Sequence, residues 1–179
     1  APGIKITNGA TIHLKEQASA IADTAAYGQI WVKSDAPNNL YFTDDAGGDH
    51  QITGTKYWSC LGVNFETRLD TDNWTRYFDS GMFQSDQDNL TAAAPVFLPN
   101  GAIVTGVITY GSISDESWNL IRVNISNVAG SSMATANFNT EDTSITNGTI
   151  DNSLYGYFIV TSSLDTGDQI HGARITYTL

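Results

Sequence analysis

The sequence predicts an all-β protein: a small N-terminal β-hairpin segment followed by a jelly-roll-like antiparallel β-sandwich. Three observations lead there. Short apolar–polar alternations recur roughly every ten residues, each bounded by Gly, Asn, Asp or Pro turns. Polarity comes chiefly from Thr, Ser, Asn and Gly, since only 15% of the 179 residues are charged; hydroxyl-bearing and β-branched side chains suit a pleated, half-buried surface. No segment carries the broad apolar stripe of an amphipathic helix.

Taken in order, residues 1–15 place Ile4, Ile6, Ile12 and Leu14 at even positions around an Asn8-Gly9 turn signal. Residues 16–26, EQASAIADTAA, are the one helix candidate, but Ile21 is their only large apolar residue. An extended or one-turn linker is expected there in place of a full helix. Residues 27–54 read as three short strands, GQIWVKS, LYFTD and HQIT, joined by the turns DAPNN and DAGGD. A unit of that size buries little by itself. Its large apolar residues, Trp31, Tyr41 and Phe42, are therefore candidate assembly residues, to be covered by the rest of the chain or by a neighbouring copy.

The expected boundary lies at Gly54–Thr55, giving an attachment or assembly segment over 1–54 and a β-sandwich over 55–179. KYWSCLGVNF (56–65) suits a strand. TDNWTRYFDSG (71–81) is an edge strand or an end plug. Beyond it, Phe83, Leu90, Val96, Phe97 and Leu98 are apolar anchors. From Pro99 the pattern is regular: strands over 102–112, 118–126, 133–138, 155–163 and 169–179, with a short one within 143–150. In WNLIRVNIS the phase Ile121, Val123, Ile125 is expected to face the core.

Charge and motifs limit function. The chain carries 19 Asp+Glu against 8 Lys+Arg, a formal −11, which repels phosphate backbones and anionic lipid. No nucleic acid and no membrane partner is expected. No apolar run is long enough for a transmembrane helix, and APGIKIT does not resemble a signal peptide. Cys60 is the only cysteine and is expected as a buried, inert thiol. The acidic groups Asp44/Asp45/Asp49, Asp70/Asp72/Asn73 and Asp86/Asp88/Asn89 lack the calcium-loop pattern and read as turn residues. His13, His50 and His171 form no local metal pair. There is no G-x-S-x-G and no phosphate-binding loop. No enzyme activity, cofactor or metal is expected. Aromatic residues offer one more possibility: Trp74, Tyr110 and Trp118 could stack on the C–H face of a glycan, or could simply pack in a core or interface.

Two stretches carry resemblances. GATIHLKEQASAIADTAAYGQIWVKSDAPNNLYFTDDAGGDHQIT (9–53) resembles a segment of virion structural proteins of tailed bacteriophages, fibre-type proteins among them. FLPNGAIVTGVITYGS (97–112), MATANF (133–138), TSITNGTIDNSLYGYFIV (143–160) and DQIHGARITYT (168–178) are similar to a β-sandwich module of secreted bacterial proteins and phage structural proteins. Residues 57–96 lie outside both. The resemblance implies a non-enzymatic virion protein, a capsid decoration protein or short tail fibre or spike. It would be made in the host cytoplasm and assembled as a homo-oligomer, a trimer by family habit. The partners implied are other virion proteins of capsid or tail and, beyond them, a host surface glycan. The rival reading is a carbohydrate-binding module of an exported bacterial protein.

Overall fold

In a computed structural model, residues 12–22, 26–34, 38–113 and 115–179 are described. The expected strand and turn signals at 1–11 fall outside them. The described residues form fourteen β-strands and one short 3₁₀ turn, Gly62–Asn64. The chain divides into two compact units, Ala1–Gly54 and Thr55–Leu179.

The first unit is one four-stranded sheet in the order β1 (Glu16–Gln17), β2 (Gln29–Lys33), β3 (Asn39–Thr43), β4 (Asp49–Gln51). The first pairing is parallel and the other two antiparallel. The helix candidate is extended at its start, where Glu16 and Gln17 pair with Val32 and Lys33. With Ile21 exposed, a helix here would have no apolar face to bury. The DAGGD hairpin closes on Asp44, whose Oδ1 accepts from the N–H groups of Ala46 and Gly48 at 3.0 and 2.8 Å.

The second unit contains β5 (Thr55–Leu61), β6 (Glu66–Thr67), β7 (Trp74–Tyr77), β8 (Met82–Ser85), β9 (Ala92–Val96), β10 (Ile103–Gly111), β11 (Ser117–Asn124), β12 (Gly130–Asn137), β13 (Tyr155–Thr161) and β14 (Gln169–Thr178). They make two antiparallel sheets. The first runs β10-β14-β8-β7, with β5 also paired to β14; the second runs β12-β11-β13-β9-β6. β14 organises the first sheet. One edge carries β10, and the other is shared by β5, over Gly172–Thr178, and β8, at Gln169 and Ile170. The stretch over 71–81 is thus an edge strand, β7. Residues 142–149 are not a full strand; they follow the other edge of β10 by two isolated bridges, Val107 to Asp142 and Ile103 to Thr149.

One apolar cluster joins the inner faces of both sheets. Phe83, Val104, Val107, Ile170 and Ile175 come from the first, and Ala94, Trp118, Leu120, Met133 and Ile159 from the second. Fully burying each of the larger side chains contributes roughly 1.5–3 kcal/mol. The expected phase of β11 is overturned. Trp118 and Leu120 point inward and are fully buried, whereas Ile121 and Val123 sit half-buried on the outer face and Ile125 is 64% exposed. Pairing fixes the phase: Leu120 lies opposite Ile159 and Trp118 opposite Thr161, on the inward side of β13. The indole N–H also finds an inner acceptor, Asn137 O at 3.1 Å.

Candidate functional site

Trp31, Tyr41 and Phe42, the candidate assembly residues of the first unit, do not share a face. Neighbours along a strand point to opposite sides, so the side chains of Tyr41 and Phe42 separate. Trp31 and Tyr41 are cross-strand partners on one face, stacked at 4.9 Å between ring centroids. Trp31 is only 4% exposed. Its indole N–H donates to Thr43 Oγ1 at 2.8 Å, and that hydroxyl donates to Asp49 Oδ1 at 2.6 Å. Trp31 is therefore already covered within the chain, the first of the two covers expected for it. The opposite face pairs Ile30, 62% exposed, with Phe42, 38% exposed. Val32 and Leu40 lie beside them, and His50 is next to Phe42. Of the expected trio, only Phe42 lies on this open apolar face.

The glycan candidates also separate. Trp118 has no exposed surface and cannot touch a ligand. The Trp74 ring stacks on Phe83 at 5.3 Å and carries the Arg76 guanidinium 4.4 Å from its centroid. Its π surface is engaged within the protein. Tyr110 is different: it lines an open concavity of about 350 Å³ on the outer face of the first sheet, with Ser59, Leu61, His171, Gly172 and Arg174.

The outer face of the second sheet was not singled out by the sequence reading. Register places Ile121 opposite Phe158, Val123 opposite Gly156 and Asn119 opposite Val160. Phe158 in turn faces Pro95 and Val160 faces Ala93. Three adjacent strands thus present Ile121, Val123, Phe158, Val160, Pro95 and Ala93 outward, and the charged neighbour in register with them is Glu66 of β6, opposite Ala93 at the strip's edge. The available signal was that both phases of WNLIRVNIS hold large apolar residues, Trp118 and Leu120 in one and Ile121, Val123 and Ile125 in the other, as do both phases of YGYFIV.

Comparison of the chain with family models, curated proteins and solved structures found no match. Its chemistry is read from its own side chains.

Those side chains give the carboxylates structural work. Asp44 is held below the usual carboxylate range by its hydrogen bonds with His50, at 2.8 Å, and with the Gly48 N–H. Asp88 is lowered by the Thr166 N–H and hydroxyl, and Asp151 by the Ser153 hydroxyl and N–H. Asp72 accepts from the Leu69 N–H and from Gln87 Nε2, and Asp86 from the Thr75 hydroxyl. Each of these is a turn or strand-end tie. Among the described residues, no group of three or more His, Cys, Asp or Glu is placed to hold a metal ion. Cys60 is half-buried, and burial pushes its thiol up to about 11, so little nucleophilic thiolate forms near neutral pH.

Proposed function

We propose that this chain is a non-enzymatic structural protein of a tailed-phage virion, a capsid decoration protein or a short tail fibre or spike, working as a homo-oligomer. The observation that carries the assembly part is the apolar outer face of the β11–β13–β9 sheet. Isolated sandwiches solvate their outer faces with polar residues, and contiguous apolar patches mark interaction surfaces. With a formal charge of −11, copies repel one another wherever carboxylates meet, and among its paired positions this strip meets them only at its β6 edge, where Glu66 lies opposite Ala93 and pairs with Arg76. The exposed Ile30–Phe42 face of the first unit supports a second contact, with another virion protein of capsid or tail. The order of the larger unit supports the jelly-roll reading. From β9 the chain passes to β10, back through β11 and β12, across to residues 142–149 beside β10, then to β13 and β14, alternating between the sheets. The virion assignment itself rests on the sequence resemblance over 9–53 and 97–178, and a trimer is its family expectation.

The test is the solution mass of the whole recombinant chain, together with mass spectrometry of purified particles. A stable oligomer present in particles is expected. A monomer absent from particles would overturn the proposal and favour the second reading, a carbohydrate-binding module of an exported protein, for which the concavity beside Tyr110 speaks.

A further inference from the structure

We propose that the outer face of the first sheet binds a neutral pyranose sugar in the hollow over Gly172. Register builds this hollow from three strands far apart in sequence. Gly172 of β14 lies between Leu61 of β5 and Tyr110 of β10. Two residues along the strand, on the same face, Arg174 lies between Ser59 and Ile108; two further, Thr176 lies between Tyr57 and Gly106. The middle of the first row has no side chain, which leaves a floor bounded by an exposed leucine, a tyrosine ring and a guanidinium.

Two glycines keep the arrangement open. A Cβ at Gly172 would stand 2.4 Å from the Cys60 carbonyl oxygen, so the position excludes any larger residue. A Cβ at Gly106 would stand 2.9 Å from Glu141 Oε1. The bare glycine therefore lets that carboxylate reach across to Arg174, whose Nη2 it meets at 3.4 Å. On the other side Tyr57 places its ring 5.6 Å from the Arg174 guanidinium carbon. Arg174 is thus positioned between a ring and a carboxylate while 40% of its side chain stays exposed.

The ligand class follows from these groups. A pyranose has an apolar C–H face and a rim of hydroxyls that both donate and accept. Leu61 and Tyr110 suit the first. Arg174 as donor, and the Ser59 hydroxyl and His171 ring as donor or acceptor, suit the second. A purely apolar ligand would cover the Ser59 hydroxyl without giving it a polar partner. Charge selects the neutral form: Glu141 compensates Arg174, and the chain's net −11 gives an anionic sugar no attraction. The inference rests on the second reading above, a sugar-binding module, and not on the assembly proposal, because a monomer could bind sugar and a sugar-blind oligomer could build a virion.

The experiment is saturation-transfer NMR on the whole chain with the methyl glycosides of glucose, galactose, mannose and N-acetylglucosamine. At least one should receive saturation, strongest on its ring C–H protons, with a dissociation constant on the order of millimolar for a single ring. Tyr110→Ala should abolish the transfer and Tyr110→Phe should keep it. Glu141→Gln should weaken binding severalfold by loosening Arg174, which Glu141 holds in place. Methyl glucuronide is the charged comparator and should bind more weakly than methyl glucoside. Three results would overturn the inference: no transfer to any of the four glycosides, tighter binding of the glucuronide, or unchanged transfer with a Tyr110→Ala protein whose melting matches wild type. Tyr110 is only half-buried, so its variants remain testable even if Glu141→Gln lowers stability.

Discussion

The two sheets of the larger unit contribute to one core but present opposite chemistry outside. The β5–β14–β10 face carries Tyr57, Ser59, Tyr110, Arg174 and Thr176. The β11–β13–β9 face carries Ile121, Val123, Phe158, Val160, Pro95 and Ala93. Both are built by the same alternation, so the inner half of each strand says nothing about its outer half. The difference teaches that a sandwich's function is written on the residues its core does not use. A mixed, glycine-hollowed surface suits a small ligand exchanged with water, and an apolar one with its charge confined to the edge suits a permanent partner.

The largest effect should come from the shared interior. Trp118→Ala removes a fully buried indole and its hydrogen bond to Asn137. It should cost about 4 kcal/mol in urea unfolding, whereas Tyr57→Ala on the mixed outer face should cost less than about 0.5 kcal/mol. A Trp118→Ala loss near that of Tyr57→Ala would mean that Trp118 is not core, and the inner/outer assignment of β11 would fail.

Next in size is the outer face of the second sheet. Phe158→Asp puts a carboxylate in the centre of the apolar strip. It should weaken self-association by about a hundredfold or more, since burying an unpaired charge at an interface is costly. Light scattering should show the oligomer dissociating while circular dichroism keeps its strand signal. Tyr57→Asp, the same change on the opposite sheet, should leave the mass unchanged. If both variants stay oligomeric, the copies meet elsewhere; if only Tyr57→Asp dissociates, the two faces have been assigned the wrong way round.

A smaller effect is expected in the first unit. Thr43→Val takes the acceptor from Trp31 and the donor from Asp49. It should raise amide exchange in β2 and β3 by an amount equivalent to roughly 1–2 kcal/mol of local stability. Ile30→Ser on the open face should change exchange far less, since Ile30 is mostly exposed. Equal responses would make Trp31 a surface residue after all.

These contrasts show how far the sequence could be read. Strand positions from 99 onward were legible because turn residues punctuate them; Asn147, for one, adopts the positive φ of 54° that its Asn-Gly signal implies. The inner phase of β11 was not. Period-2 alternation leaves two phases, and where both are apolar only the partner strand decides. The split of Tyr41 from Phe42 was legible and missed, since adjacent strand residues never share a face. The hollow over Gly172 was out of reach: Leu61, Tyr110 and Arg174 meet only after three distant strands pair. The aromatic hairpin unit ends at Gly54, and the two compact units divide at the same place.

The smallest effect belongs to an end of the sandwich that neither outer face explains. Glu116, just before β11, is pushed up to about 7. Burial is the first cause, followed by its hydrogen bond with Asp115 and the negative charges of Asp168, Asp115 and Asp165. The folded chain therefore holds a proton that an unfolded carboxyl, near 4.5, has already released. The stability this contributes is fully present below about pH 4.5 and is lost as the pH rises to about 7. Glu116→Gln fixes the neutral form. At pH 4 it should match wild type, and at pH 8 it should be more stable by about 1 kcal/mol, a value discounted well below the full shift because the site is open to solvent screening. Added salt at pH 8 should narrow the gap if neighbouring charges matter, and leave it if burial alone acts. A Gln variant less stable than wild type at pH 8 would show that ionised Glu116 has a favourable partner there, and that this end of the sandwich, like the hollow over Gly172, is organised around an interaction.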